Sequence, residues 1–168
     1  MSAPLRILGI DPGSQLTGYG IVELNGVQTR PLAWGAIRTR GEHGERLKQI
    51  FFRVGELVAE HAPDEISIER VFVHRNADSA LKLGQARAAA LCASFTRDIP
   101  VFEYAAREVK KAVAGNGGAD KSQVEYMVKL LLGLRGLMQA DAADALALAI
   151  CHSQVRLTRG LVERAASA

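Results

Sequence analysis

The sequence contains only two cysteines, Cys92 and Cys151, and both lie in apolar stretches with helical character. A disulfide framework or a zinc cluster is not plausible with so few, and the usual compartment of such a chain is a reducing cytosol. The four histidines are scattered without the spacing of metal ligands. The sequence therefore predicts neither a disulfide-bonded secreted domain nor a metal centre built on histidine or cysteine.

Long uncharged apolar runs are also missing. No window approaches the roughly 18 residues that a membrane span needs, and the opening segment MSAPLRILGID has no run long enough for a signal peptide. We expect a soluble, cytoplasmic protein without a membrane segment. The chain has no repeat, low-complexity tract or linker, so residues 1–158 are expected to form a single domain and residues 159–168 a flexible tail.

The composition that remains is that of an ordinary globular protein, with 168 residues of which 48% are hydrophobic and 23% charged. A chain of this size buries roughly 70% of the surface that its unfolded form exposes, so it can build a core without cross-links. The net charge of +3 permits nucleic-acid binding without requiring it. If acids are gathered at a metal site, the rest of the surface is more basic than this total indicates.

Hydrophobic periodicity predicts strands in the first part of the chain and helices in the second. A hairpin signal at Asn25-Gly26 favours an antiparallel meander for the first three strands. Later strands alternate with helices, which is typical of parallel pairing, so we expect an α/β fold with a mixed sheet flanked by helices. The predicted strands are 5–11, 19–24, about 31–40, 65–70 and 101–104, and the predicted helices are 44–62, 78–96, 122–132 and 141–154.

Two acids follow apolar strands. Asp11 comes after Ile-Leu-Gly-Ile, and Pro12 biases its backbone towards the extended conformation, so Asp11 should lie at the carboxyl edge of the sheet. The alternative is that Asp-Pro-Gly is only a turn. Glu69 ends a strand expected to be central, where an unpaired carboxylate is costly. It either forms an ion pair with a neighbour such as Arg70 or shares a metal ion with other acids.

A second acidic pattern is the pair Asp141 and Asp144 in QADAADALALAI. A spacing of three places both carboxylates on one face of a helix. The alternative is helix capping, in which an Asp at the N-cap and an acid in the first turn stabilise a helix start. The rest of this helix is almost entirely apolar, which indicates burial. Two acids at the mouth of a buried helix crowd negative charge, and a divalent cation would relieve that crowding.

Strand ends and a helix start can converge, so these acids are predicted to form one site. Their oxygen-only ligands suit Mg²⁺, for which Mn²⁺ can substitute. The chemistry that such a site performs is two-metal phosphodiester hydrolysis, in which one ion activates a water and the other stabilises the leaving oxygen. Asp11 is the best candidate to bridge both ions. The predicted metal-binding and catalytic residues are Asp11, Glu69, Asp141 and Asp144.

Longer segments give a more specific signal. They are GIDPGSQLTGYG at 9–20, ISIERVF at 66–72, NADSALKLGQARAAA at 76–90, VFEYAAREVKKAV at 101–113, and the later DKSQVEYMVKLLL and QADAADALALAI. Together these segments resemble the RuvC-type Holliday junction resolvases of bacteria over nearly the whole chain. The resemblance implies a ribonuclease-H-like fold, and the catalytic acids of that family fall on the same four positions. Arg70 is a departure, because this family often has a neutral glutamine there.

The same resemblance implies the partners and the DNA contacts. It implies a Mg²⁺-dependent homodimer that nicks opposing strands of a four-way junction symmetrically and works with a branch-migration motor complex of the RuvA–RuvB type. Phe72 would stack on an unpaired base, in a stretch where Arg75 is a further DNA contact, and Lys110 and Lys121 would contact phosphates. The alternatives are that Phe72 fills core and that the lysines are solvated helix ends.

Two other functional classes remain open at this point. The segment at 9–20 also looks like the first phosphate loop of actin-like ATPases, although 168 residues leave no room for their second lobe. The chain could also be a junction-binding module without catalysis.

Two symmetric cuts favour a C2 dimer for the enzyme. The small residues of helix 78–96 allow close packing either in the core or against a partner subunit.

Overall fold

The computed structural model describes residues 3–71 and 76–166, apart from the side chain of Arg164. A five-stranded sheet with the order β3-β2-β1-β4-β5 forms its centre, with β1 to β3 antiparallel and β1, β4 and β5 parallel. This confirms the predicted mixed sheet. The strands are β1 Leu5–Asp11, β2 Leu16–Asn25, β3 Gln28–Arg38, β4 Glu65–Glu69 and β5 Val101–Tyr104, and the α-helices are α1 His43–His61, α2 Ala77–Cys92, α3 Ala106–Ala114, α4 Lys121–Leu132 and α5 Ala140–Ala166.

Two helices end at places other than those predicted. Helix α2 stops at Cys92, and a short 3₁₀ helix follows, because the Ser94 hydroxyl and amide both donate to the Leu91 carbonyl. Helix α5 continues to Ala166, well beyond the predicted end at residue 154. No proline interrupts it, and a single glycine only weakens a helix. Residues 159–166, predicted as a flexible tail, are therefore helical.

No helix in the described part of the chain is long and apolar enough to span a membrane.

The sheet separates two apolar layers, because alternate side chains of each strand point to opposite faces. Leu8 and Ile10 of β1 pack with α1 and α2 on one face. Ile7 packs with α3, α4 and α5 on the other. By the same alternation, Asp11 and Glu69 lie on the α5 face of their strands. The predicted position of both acids at the carboxyl ends of adjacent parallel strands agrees with this arrangement.

Glycines allow α5 to lie directly on this face of the sheet. Gly9 and Gly20 are paired across β1 and β2, and Gly18 is paired with Asp11. A Cβ atom added at Gly9 would lie 2.0 Å from the Ala145 carbonyl oxygen of α5, closer than atoms can approach. The absence of side chains here brings the first turns of α5 against the strand end that carries Asp11.

We expect Gly18→Ala to displace the start of α5. The added Cβ would lie 2.0 Å from the carbonyl oxygen of Asp141, an atom that a side-chain rotation cannot move. Overpacking of this kind costs about 1–3 kcal/mol of unfolding free energy, and the acidic site should be disrupted as well. Gly55→Ala is the matched control, because a Cβ at that helical position meets open space. Urea unfolding that shows equal stability for both variants would contradict this prediction.

Candidate active site

The predicted acids meet around one pocket of about 300 Å³ at the carboxyl ends of β1 and β4. Asp11, Glu69 and Asp144 line it directly. Asp141 lies beside it, with its Cβ 3.1 Å from a Cβ added at Gly18. The remaining pocket-lining residues are Ala106, Val109, Lys110, Lys121, Val124, Ala147 and Leu148.

The electrostatics of the pocket are dominated by Asp11. Burial, and then the negative charges of Asp144, Glu69 and Asp141, raise the pKa of Asp11 from 3.8 to about 7. Burial also raises the pKa of Glu69 and of Asp144, and the charge of Asp144 raises that of Glu69 further. Since each shift reports an unfavourable environment for a carboxylate, the pocket concentrates negative charge that a bound cation would stabilise.

The structure also decides between the alternative interpretations of these acids. Among the described residues, Glu69 forms no ion pair with Arg70, which is exposed, and the cations that act on Glu69 are Lys121 and Lys110. Asp141 and Asp144 are not N-caps, since α5 begins at Ala140. The turn after Asp11 does form, because the Thr17 hydroxyl donates to the Gly13 carbonyl at 2.8 Å, yet Asp11 itself is the last residue of β1. The ion pair with Arg70 and the N-cap role are therefore not what places Glu69, Asp141 and Asp144 at the pocket.

Two lysines predicted as DNA contacts reach the same pocket. The Nζ of Lys121 lies 3.6 Å from Oδ2 of Asp144 and its side chain is 83% exposed, so it spans from the acids to the surface. Lys121 begins α4, where a capping box between Asp120 and Gln123 fixes the helix start. Lys110 of α3 also lines the pocket. A phosphate at the mouth of the pocket would meet both cations.

The donor set fits a hard divalent cation, because it consists of carboxylate oxygens only. In residues 3–71 and 76–166, however, no three acidic, histidine or cysteine side chains are arranged so that they could hold one ion as they stand. Mutual repulsion keeps carboxylates apart, and Asp144 is turned towards Lys121. Coordination of an ion would therefore require rotation of these side chains, with Asp144 turning from Lys121 to the ion.

The predicted DNA contacts Phe72 and Arg75 lie outside the described residues. The sequence interpretation also missed Gly9 and Gly18, whose lack of a side chain sets how close α5 approaches. The sequence does contain a signal for them, because a glycine inside a buried strand often marks a place where another backbone approaches closely.

A five-stranded mixed sheet of this order, with acids at the ends of its central strands and at the start of a crossing helix, has the ribonuclease-H-like fold of a class of nucleases. The family model for crossover junction endodeoxyribonuclease RuvC matches residues 7–152. The chain belongs to this RuvC family, whose nucleases are metal-dependent.

Individual relatives give the same result. The RuvC of Proteus mirabilis is 54% identical over 156 residues, which cover 91% of this chain and 90% of the relative. The RuvC of Halorhodospira halophila is 56% identical over 153 residues, which cover 90% and 91%. These similarities extend over nearly the full length of both proteins, so the family assignment includes the segments that carry the acids.

Solved structures agree with the fold. Thermus thermophilus RuvC in complex with a Holliday junction substrate matches with a TM-score of 0.86 and 34% identity, over 92% of this chain and 96% of that chain. The yeast mitochondrial Holliday junction resolvase Ydc2 matches with a TM-score of 0.63 at 13% identity, over 92% and 82%, and this similarity shows the fold alone. The predicted resemblance to RuvC-type resolvases is confirmed.

Proposed function

We propose that this protein resolves four-way DNA junctions by paired, symmetric phosphodiester hydrolysis. The observation that carries the proposal is the convergence of Asp11, Glu69 and Asp144 on one pocket, with Asp141 beside it. Family membership supports the reaction, and the Thermus thermophilus relative was solved with a junction substrate.

We further propose that the four acids hold two Mg²⁺ ions, for which Mn²⁺ can substitute. The raised pKa of Asp11 supports this assignment, because the carboxylate at the centre of the other acids needs a positive charge most. Bound ions at this site would supply Lewis acidity for activating water and stabilising the leaving oxygen. Asp11 would contact both ions, and the apolar wall formed by Val109, Val124 and Leu148 would limit the access of bulk water.

The surrounding cations would position the DNA. Lys110 and Lys121 line the mouth of the pocket, and we propose that they contact phosphates on either side of the scissile bond. Phe72 and Arg75, which follow β4 in sequence, are proposed to contact an unpaired base and the backbone. Because cations and an aromatic ring would bind the DNA whereas carboxylates would hold the metal, we expect neutralised acids to impair cutting more than binding.

We also propose a homodimer, since one acid pocket makes one cut and a two-fold junction needs two. Helix α2 supports this proposal, because it buries Ala86 and Ala90 in the core and leaves Leu81 62% exposed. Helix α2 packs on the core with the face that carries Ala86 and Ala90, and we propose that the face that carries Leu81 packs against a partner subunit. We also propose that the protein works with a branch-migration motor complex of the RuvA–RuvB type and is located in the cytoplasm.

The proposed activity is tested with a mobile four-way junction and a matched linear duplex, each incubated with Mg²⁺ and with EDTA. Symmetric nicks in two opposing strands of the junction, only with the metal, are the expected result. A single nick per junction would contradict the dimer. Cleavage in EDTA, or equal cleavage of the duplex, would contradict the proposed reaction.

Lys121→Ala should weaken junction binding and make it less sensitive to salt. Removing one phosphate contact reduces the slope of log affinity against log salt by about 1. Fluorescence anisotropy in EDTA at several salt concentrations measures this slope. Lys48→Ala is the control, because that lysine is exposed on α1, on the opposite face of the sheet. An unchanged slope for Lys121→Ala would argue against a phosphate contact.

The two alternative functions are distinguished from this proposal by simple measurements. An actin-like ATPase would bind a fluorescent ATP analogue at micromolar concentration with Mg²⁺, and membership of the RuvC family disfavours that outcome. A junction-binding module without catalysis would bind junctions without cutting them, and neutralising the acids would change neither property. Glu69→Gln and Asp144→Asn should instead bind junctions normally and fail to cut them.

A further inference from the structure

A buried hydrogen-bond chain lies on the same face of the sheet as the acidic pocket. His152 of α5 is fully buried, and its Nε2 lies 2.6 Å from Oε2 of Glu65, the first residue of β4. Its Nδ1 lies 2.5 Å from the hydroxyl of Tyr104, the last residue of β5. Phe102 stacks on the imidazole at a centroid distance of 4.3 Å. Three elements of the fold are thus joined through one side chain.

The directions of these hydrogen bonds follow from the partners. The carboxylate of Glu65 can only accept, so Nε2 of His152 carries the proton and donates it. Nδ1 is then an acceptor, and the hydroxyl of Tyr104 donates to it. Burial lowers the pKa of His152, which is consistent with a neutral ring. Arg156, one turn further along α5, lies 3.3 Å from the other oxygen of Glu65. Every polar side chain in this hydrogen-bond chain therefore has a partner.

This hydrogen-bond chain is the first of a series of contacts between β4 and α5. Glu65, Ser67 and Glu69 alternate along β4 and face α5. Glu65 contacts His152, and the Ser67 hydroxyl donates to the Leu148 carbonyl at 2.8 Å. Glu69 shares the acidic pocket with Asp144. We call these pairs the β4–α5 contact series: Glu65 with His152, Ser67 with Leu148, and Glu69 with Asp144.

The series is geometrically regular. Two residues of a strand advance about 6.6 Å, and four residues of a helix advance about 6.0 Å. The residues of β4 are spaced by two and those of α5 by four, in opposite directions, so each pair stands nearly opposite its partner. A fixed register at Glu65 and Ser67 consequently determines which residue of α5 faces Glu69.

The last pair differs from the other two, because it is repulsive. The charge of Asp144 raises the pKa of Glu69, so these acids would move apart if nothing opposed it. Tyr104 adds a second constraint at this end: it is paired in register with Glu69, and its carbonyl accepts from the Arg70 amide at 2.8 Å. The attractive contacts along β4 and between β4 and β5 thus oppose separation of Glu69 and Asp144.

We propose that Glu65, His152 and Tyr104 are positioning residues that hold Glu69 and Asp144 together for a divalent cation. This inference rests on the proposed function, and it adds a set of residues that touch neither metal nor DNA. Their loss should weaken metal binding while junction affinity in EDTA stays unchanged. Groups that bond directly to a metal ligand typically contribute 10–100-fold to metal affinity. Glu65, His152 and Tyr104 act on the ligands through the backbones of β4, β5 and α5, so we expect an effect at the lower end of this range.

The test measures binding of Mn²⁺ alone to the full chain by electron paramagnetic resonance, without DNA. Tyr104→Phe removes only the donor hydroxyl, and Glu65→Leu removes the acceptor. Each should weaken Mn²⁺ binding by roughly tenfold and raise the Mg²⁺ concentration needed for half-maximal cleavage by a similar factor. Glu65→Gln keeps an acceptor for His152 and should restore most of the affinity.

Val54→Ala is the control for a general loss of stability, because Val54 is a buried residue of α1, on the opposite face of the sheet. It should lower the melting temperature without changing Mn²⁺ affinity. Unchanged Mn²⁺ affinity in Tyr104→Phe and Glu65→Leu, or an equal loss in Val54→Ala, would overturn the proposal. If the wild-type protein bound no Mn²⁺, the proposed function would fail as well, so the two failures are distinguishable.

Discussion

Asp11→Asn should reduce cleavage of a four-way junction by at least about 10³-fold, which corresponds to about 4 kcal/mol of transition-state stabilisation. The amide keeps the size of the side chain and removes the negative charge at the centre of the acidic pocket. Junction affinity in EDTA should stay the same or increase, because the lysines at the pocket mouth are untouched and an adjacent negative charge is gone. Single-turnover cleavage and fluorescence anisotropy measure the two quantities separately.

Asp98→Asn is the matched control for this chemical change. Asp98 is exposed after the short 3₁₀ helix, and asparagine tolerates its left-handed backbone conformation. It should cleave junctions at the wild-type rate. Normal cleavage by Asp11→Asn would remove the basis for catalysis by the acids and favour a different site.

The second large effect concerns stability in the absence of metal. The pKa of Asp11 is about 7 in the folded protein and 3.8 ordinarily. Between these values the folded state retains a proton that the unfolded state has released, so the free energy of unfolding falls as pH rises from about 4 to 7. A difference of about 3 pKa units corresponds to as much as about 4 kcal/mol. The raised pKa values of Glu69 and Asp144 act with the same sign.

This prediction is tested by urea unfolding of wild-type protein and Asp11→Asn in EDTA from pH 4.5 to pH 8, with steps of about half a unit chosen to resolve the titration. The difference between the two proteins isolates Asp11, since groups with opposite sign, such as His152 and Glu23, are common to both. Asp11→Asn should be the more stable protein at pH 8 and lose that advantage towards pH 4.5. A stability difference that does not depend on pH would show that Asp11 titrates normally.

Much of the fold could be predicted from local sequence patterns. Alternating and apolar runs predicted all five strands, and the Asn25-Gly26 hairpin signal predicted their antiparallel beginning. The ends of α2 and α5 could not be predicted in the same way. Helix α2 stops where the Ser94 side chain bonds back to Leu91, a contact that propensity alone does not contain. Helix α5 continues to Ala166, beyond the half that packs on the core and supplied the apolar pattern for the prediction.

The positions of two acids of the site could also be predicted from local sequence patterns. A carboxylate directly after an apolar strand is unusual, and strand ends have a known place in a sheet, so the positions of Asp11 and Glu69 follow from local pattern alone. The ion pair between Lys121 and Asp144 was not predictable, because it depends on how α4 is oriented after the glycine-rich loop. A side-chain ion pair between distant segments has no local signal in either of them.

The β4–α5 contact series also could not be predicted from local sequence patterns. Glu65 and His152 each appear in the sequence as a polar residue next to apolar ones, which suggests only that each needs a partner. Residues 87 positions apart meet because a strand and a helix run in opposite directions with nearly matching rises. The sequence pattern gives His152 no ligand role, and its role in the structure is to connect β4, β5 and α5.

The most direct test of the proposed metal site is a crystal structure of the protein grown with Mn²⁺, with anomalous scattering used to place the ions. We expect anomalous peaks in the pocket between β1, β4 and α5, with an oxygen of Asp11 bound to each ion and with Glu69, Asp141 and Asp144 completing the ligands. Peaks elsewhere, or an Asp11 side chain that binds no ion, would contradict catalysis by these four acids.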